Sequence, residues 1–383
     1  MQTNLEDDVA WEHLASGRQY TLARAGRFLL TTLLEPHLVL TTSSKNGGQK
    51  SGIQFLVNHQ SCEGKDHQER QELIREVGLD GYHDLVCREI GIDPERSAVM
   101  GTAANMNYAA VVKQEDAGLT ATAIVTAGVQ GNAACAGDPA GWRERDGAWE
   151  KVNPLSGTIN TILLINQPLT EGALARTAMT MTEAKSAALA RLAIGSLYSK
   201  DTATGTGTDQ FCIAAPCTGA TALTSASPHG KLGELIGVAV RDATLEALRW
   251  QNGLEPSYTR SVFHALGRFG LKEATVFADM APWLPERTLE LLRRNDKSVF
   301  YEPLASAAAY AIAAILDRAR YRTLPMNTAR EALRQQAACL AVAIAAQSHR
   351  WNEFRATLPE PDPEQPLPIV LAAIAQGWTA KWT

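Results

Sequence analysis

The chain has 383 residues, 45% of them hydrophobic, enough to bury one sizeable core and carry a smaller appendage, which argues against a disordered protein. Its formal net charge is -5 with both signs interspersed, so it offers no electrostatic footprint for a nucleic-acid backbone or an anionic membrane. The acidic, polar start (residues 1–10) lacks the order of a secretory signal, and no stretch approaches the roughly 18 uninterrupted apolar residues of a membrane span; a cytoplasmic protein is expected.

In chain order, the apolar runs 20–34 and 37–42, separated by Glu35-Pro36, read as neighbouring antiparallel strands. Asn46-Gly47-Gly48 is a turn signal, residues 53–58 read as a further strand, and the charged stretch 62–76 is expected to become helical at its end. Residues 120–129 are strand-like, whereas 137–152, polar and bearing glycine and tryptophan, read as a loop. Residues 158–165 form a second strong strand, dense in Ile and Leu. Thr170 can then cap a helix reaching about Ile194, with a buried stripe of Leu174, Ala178, Met181, Ala188 and Leu192. A Gly/Thr loop at 202–208 leads to a strand at 210–215, and after Pro228 a helix aligns Leu232, Leu235, Ile236, Ala239, Val240, Ala243 and Ala247.

Strands and long helices mix without strict alternation and without a GxGxxG turn, which predicts an α+β fold with a layered sheet-and-helix core over residues 1–255. Residues 256–383 turn to Ala, Leu and Arg, with helical segments near 260–269, 285–294, 302–319 and 328–346; they read as an all-helical appendage. The Pro-rich stretch 358–368 reads as a tether before a short helix ending near Trp378. Cys62, Cys87, Cys135, Cys212, Cys217 and Cys339 are scattered without CxxC pairs, so buried apolar roles are expected for most and no metal site is expected.

Chemistry-bearing residues concentrate between 126 and 234. In the run Thr202 to Gln210 small residues let backbone N–H groups approach a ligand; Asp209 closes that loop and can act as a base, or the loop is an ordinary connection. Lys185 falls on the buried stripe of its helix, where an ammonium must snorkel, pair or meet a ligand, and Glu183 projects nearly the opposite way. His229, ahead of a helix, suits a proton carrier, an imidazole ligand to a metal or a plain surface group. Asn132, Asp138 and Asn166 end strands or enter loops, where such side chains often only fix turns.

These same positions make the sequence resemble the adenosylcobinamide amidohydrolase (CbiZ-type) family. The matching stretches are Asn46-Gly-Gly48 with Asn58, Thr126-Ala-Gly-Val129 with Asn132 and Gly137-Asp138, and Gly157-Thr-Ile-Asn160 running to Asn166-Gln-Pro168. Thr182-Glu-Ala-Lys185, the Thr204 to Asp209 loop and His229-Gly-Lys-Leu-Gly-Glu234 complete the set, over roughly residues 37–250. The resemblance implies hydrolysis of adenosylcobinamide to adenosylcobyric acid and an amino alcohol, in corrinoid salvage for coenzyme B12. The partner it implies is a small-molecule corrinoid that is itself the substrate, with no separate cofactor, no nucleic acid and no membrane; a homo-oligomer is compatible with it. Asn132, Asn160, Asn166, Thr204, Thr206, Thr208 and Glu234 are then expected to bind the amide-rich corrin rim. Asp209 or Glu183 would activate a water, with Lys185 or His229 neutralising the oxyanion or protonating the leaving amine. Three other expectations stand beside this one: Thr206 or Thr208 as a nucleophile freed by cleavage after the preceding glycine, a corrinoid carrier that does not cut, and a scaffold acting through the Ala-rich helices.

Overall fold

The computed structural model describes residues 10–61, 67–146, 148–151 and 157–382. They fall into two compact units: residues up to Arg191 with Ala203–Leu254, and Leu192–Thr202 with the chain from Glu255 onward. The fold is α+β, with a helical C-terminal region.

The first unit holds two larger sheets. One has the order β1 (Glu12–Ser16), β2 (Tyr20–Ala25), β3 (Phe28–Leu33), β6 (Phe55–Gln60), β7 (Ser97–Thr102). The other runs β5 (Gly48–Ser51), β4 (His37–Thr41), β15 (Gln210–Pro216), β13 (Ile159–Ile165), β9 (Leu119–Ala127), β8 (Ala110–Asp116). Neighbours are antiparallel except β6 with β7 and β13 with β15. A parallel neighbour cannot be reached by a tight hairpin, and the two long crossovers carry α1 (His67–Glu89) and α2 (Glu171–Arg191).

Side chains alternate across a strand, so every second residue shares a face. Leu22, Leu33, Leu56, Ala98 and Met100 of the first sheet meet Val39, Ile124, Ile162, Leu164, Cys212 and Ala214 of the second in one buried core between the sheets. On its other face the first sheet packs Phe28, Val57 and Val99 against Val86 and Cys87 of α1. The second sheet is covered on its outer face by α3 (Lys231–Asn252), which packs on β8, β9 and α2. Strand β13 is buried along its whole length because it lies between these two layers.

Three sequence expectations change in detail. The run 20–34 is two strands, because Gly26 (φ +50°) turns the chain and pairs Ala25 with Phe28. Strand β4 is not a neighbour of that run: it joins the other sheet, pairing with β5 and β15. The described part of 137–152 contains a charged hairpin, β11 (Trp142–Arg145) with β12 (Ala148–Lys151), rather than loop alone. The helix expected late in 62–76 starts at His67, and residues 62–66 lie outside the described residues.

The second unit consists of α4 (Pro256–Thr259), α5 (Val262–Leu266), α6 (Val276–Met280), α7 (Glu286–Arg294), α8 (Asp296–Phe300), α9 (Pro303–Arg320), α10 (Met326–Ala345), α11 (Trp351–Thr357) and α12 (Leu367–Ala380), with short 3-10 turns between them. Its own core gathers Val262, Phe300, Ile312, Leu333, Ile374 and Trp378. The stretch expected to be a tether is a packed connection, with Pro361 and Pro366 buried.

Candidate active site

At one end of the sandwich the apolar core gives way to polar side chains, and the period of two shows why. Asn58 follows Leu56 on the inward face of β6, Asn160 precedes Ile162 on β13, Thr126 follows Ile124 on β9, and Gln210 precedes Cys212 on β15. All four reach the same end because β6 and β9 finish there while β13 and β15 begin there. A buried amide without partners costs free energy, and these have them. Asn58 Nδ2 donates to Thr126 Oγ1 at 2.7 Å, and Asn160 Nδ2 donates to Asn58 Oδ1 at 2.9 Å and to the Gly101 carbonyl at 3.1 Å. The Gly101 N–H donates to Gln210 Oε1 at 3.0 Å, so the amides tie one sheet to the other.

Loops build on this polar floor. The short strands β10 (Ala133–Ala134) and β14 (Gly205–Thr206) pair antiparallel and join the Asn132 segment to the Gly/Thr loop. Asn132 is buried and donates to the Gly157 carbonyl at 2.8 Å, a carbonyl that also accepts from the Thr208 hydroxyl at 2.8 Å. Thr158 donates to the Thr208 carbonyl at 2.6 Å. Thr204 Oγ1 accepts from the Ala136 N–H at 2.9 Å, and Asp138 accepts from the Cys135 N–H at 2.7 Å.

The charged centre is Asp209. Its Oδ1 accepts from the Thr206 hydroxyl at 2.5 Å and from the Ile159 N–H at 2.9 Å; its Oδ2 accepts from the Thr206 N–H at 3.1 Å and from Lys185 Nζ. A carboxylate has about four lone-pair positions, so all are taken. Lys185 arrives from α2, and both side chains are mostly buried, 15% and 18% exposed. Of the options open to an ammonium on the buried stripe, Lys185 takes the pair. The arrangement places a hydroxyl on one oxygen of a carboxylate and an ammonium on the other, so that the carboxylate can draw a proton from the hydroxyl with the ammonium beside it.

The remaining sequence-predicted residues lie elsewhere. Glu183 is exposed on the outer side of α2. Asn166 sits past the far end of β13, roughly 20 Å along the strand from Asn160. There it holds the turn between β8 and β9, accepting from the Thr120 N–H at 2.7 Å and donating to the Gly118 carbonyl at 2.8 Å. It also lines a polar cleft of about 320 Å³ with Arg18, Gln19 and Lys113. The C-terminal end of α3 is at the candidate site's end of the sandwich, where Gln251 and Asn252 accept from the Asn105 and Val129 N–H groups. Because α3 has 22 residues and spans roughly 33 Å, Glu234 in its first turn and the preceding His229 are remote from that end. Both are exposed, and Glu234 pairs with Lys231 at 2.7 Å. A single pocket containing 132, 166, 183, 209 and 229 is therefore not what the fold assembles; it brings together Asn132, Asn160, Lys185, Thr204, Thr206, Thr208 and Asp209. Thr126, Thr158 and Gln210 lie within stretches that the sequence singles out but to which it assigns no role of theirs; the signal at Thr126 and Gln210 is a polar residue one inward step from an apolar one, and at Thr158 a polar residue one such step from Asn160.

Among the described residues no group of three His, Cys, Asp or Glu can hold a metal. Burial pushes the Cys87 thiol up to about 11 and the Cys212 thiol up to about 12, so neither is a ready nucleophile. No helix among the described residues is long and apolar enough to cross a membrane.

A two-layered sheet core whose loops converge on a paired lysine and aspartate suits a hydrolase, and comparison with known proteins agrees. The chain belongs to the adenosylcobinamide amidohydrolase family, whose sequence profile matches residues 12–256 and so spans all of the cluster just described. It is also 37% identical over 183 residues to the uncharacterized protein MJ1613 of Methanocaldococcus jannaschii, covering 45% of this chain and 71% of that one. Among solved structures it is similar to the PH0078 protein from Pyrococcus horikoshii OT3, covering 62% of this chain and 82% of that one; at 14% identity and a TM-score of 0.31 the likeness bears on neither fold nor function.

Proposed function

We propose that this protein hydrolyses the amide joining the aminopropanol arm to the corrin ring of adenosylcobinamide, releasing adenosylcobyric acid and the amino alcohol. The reading is carried by one observation: within the family-matched region, Lys185, Asp209 and Thr206 converge on a floor of amide side chains. In this reading the reaction returns salvaged corrinoid to coenzyme B12 assembly in the cytoplasm. The substrate is a small molecule, and neither nucleic acid nor membrane takes part.

Of the two carboxylates first considered, Asp209 is the one held in the cluster, and of the two cations, Lys185. Asp209 has no vacant lone pair, so to act as a base it must release a donor, and the Thr206 hydroxyl is the one that can turn away. Water entering there gives its proton to Asp209 as it attacks the amide carbonyl, Lys185 offsets the charge that develops, and Asp209 passes that proton to the amine nitrogen as the C–N bond breaks. The 2.5 Å contact also favours a second reading in which Thr206 itself attacks, Asp209 takes its proton and gives it to the departing amine, and water then hydrolyses the threonine ester. Asn132, Thr204, Thr206 and Thr208 would then read the amide arms of the corrin rim, with Asn160 beneath them as support.

Incubation with adenosylcobinamide and mass analysis of the product tests the proposal: loss of the aminopropanol arm supports it, while unchanged ligand bound one to one makes the protein a carrier. Asp209→Ala and Lys185→Ala should lower turnover at least a hundredfold with corrinoid binding retained, and Glu183→Ala and His229→Ala should stay near the parent. Thr206→Ala separates the attacking groups, because a water mechanism survives it and a threonine nucleophile does not. A second band on denaturing electrophoresis would mark cleavage at Gly205-Thr206.

A further inference from the structure

The chain leaves the first unit after Arg191 and returns at Ala203, and the intervening Leu192–Thr202 belongs to the helical unit. This excursion lies between the two halves of the charged centre. Lys185 sits about two helical turns before it on α2, and the Thr204–Asp209 loop follows directly after it. Leu192–Thr202 is closed on itself by a bridge between Gly195 and Thr202 and by the Ser196 N–H donating to the Asp201 carbonyl at 2.8 Å.

Residues of the helical unit grip the excursion at three points. Near its start, His264 Nε2 donates to the Leu192 carbonyl at 2.6 Å. Near its end, Arg268 donates to the Lys200 carbonyl at 2.5 Å while its guanidinium forks onto both oxygens of Asp317 at 2.5 and 2.6 Å; the Arg268 side chain is only 9% exposed. Beside it, Asp201 accepts from Arg320 and from the Tyr321 hydroxyl, and Arg320 above all, with Tyr321 next, holds its carboxyl below the usual range. A planar fork pinned by a second carboxylate is a rigid support, unlike a lone surface pair. An ordinary connection from a helix to a strand needs only a few residues and no such anchorage.

We propose that the helical unit acts as a positioning device for the active site: by fixing Leu192–Thr202 through Arg268 and Arg320, it sets the spacing of Lys185 and the Thr204–Asp209 loop. The positioning residues are Arg268, Arg320 and Asp201, whose bonds are to the excursion, to Asp317 and to Tyr321 and not to Lys185, Thr206 or Asp209. The catalytic part of this inference rests on the function proposed above, whereas its structural part does not.

The test uses the full chain with Asp201→Asn, which weakens the grip from the excursion's side and leaves the Arg268 to Asp317 fork in place, and with Arg268→Ala as the stronger variant. Amide hydrogen exchange should rise tenfold or more both in 192–202 and in the Thr204–Asp209 loop. Turnover of adenosylcobinamide should fall at least tenfold with KM changed less than twofold, since the loop's geometry and not the binding surface is altered. Faster exchange confined to 192–202, or a looser Thr204–Asp209 loop with parental turnover, overturns the proposal. If the parent protein cleaves no adenosylcobinamide, the proposed function fails, and exchange in the Thr204–Asp209 loop alone decides whether the anchor reaches that far.

Discussion

At Gly205 a single hydrogen atom separates a workable centre from a blocked one. A Cβ there would fall on Asp209 Oδ2 and within 2.7 Å of Lys185 Nζ, where only the ends of two side chains stand in the way. Side-chain ends can retreat without unfolding the sheet, so Gly205→Ala should keep the melting temperature within a few degrees while turnover drops at least tenfold; parental turnover in this variant would mean that the ion pair does not take part. Asn160 poses the complementary case, since it is 0% exposed and bonds to both Asn58 and the Gly101 carbonyl. Asn160→Ala leaves those acceptors buried and unpaired, a cost of about 1–3 kcal/mol. Urea unfolding measures it directly, and a loss under about 0.5 kcal/mol would show that water replaces the amide.

At the scale of elements, the cap of α2 can be separated from the chemistry that the helix carries. Thr170 Oγ1 accepts from the Ala173 N–H at 3.2 Å, and Thr170→Ala should cost about 1 kcal/mol of stability with turnover intact, because Lys185 lies near the other end of the helix. This cap was legible in the sequence, as were α2 and α3, which are long and strongly periodic, and β9 and β13, which are dense runs of apolar and β-branched residues, all punctuated by Thr, Gly or Pro. Strand β7 escaped notice because Ser97–Thr102 is short and rich in small residues, and it is a strand only by pairing with β6. The place of β4 was not legible either: Cys212 opposite Thr41 is a pairing between distant parts of the chain, and no local pattern encodes it. The same limit governed the site. Lys185 and Asp209 could be named from their stretches, but a motif's order along the chain does not say which end of a strand it occupies, so Asn166, His229 and Glu234 were grouped with residues at the opposite end.

For the whole molecule, both units carry imidazoles that acid must charge, buried in the first unit and half-buried in the second. His83 donates through Nε2 to the Pro94 carbonyl at 3.1 Å, and its buried Nδ1 meets no partner among the described residues, so a proton added there gains no acceptor from them. Burial holds His83 and His37 in the first unit, and His264 in the second, below the ordinary imidazole value of 6.5. Above that value neither the folded nor the unfolded chain carries these protons, and the histidines leave stability unchanged. As pH falls through 6.5 the unfolded chain binds protons first, so stability declines until each folded pKa is passed. Asp84 and Asp201 act in a lower window: their carboxyls are held below 3.8, and what they contribute is present above that value and lost as pH falls through their folded values. The urea midpoint should therefore fall between pH 7.5 and pH 5.0 while the aspartates still contribute. His83→Leu should flatten that slope for the sheet unit and His264→Leu for the helical one, each followed by exchange of amides in its own unit. An unchanged slope in both variants would mean that these imidazoles are protonated in the folded protein as easily as in water, and that the burial seen at both sites imposes no cost.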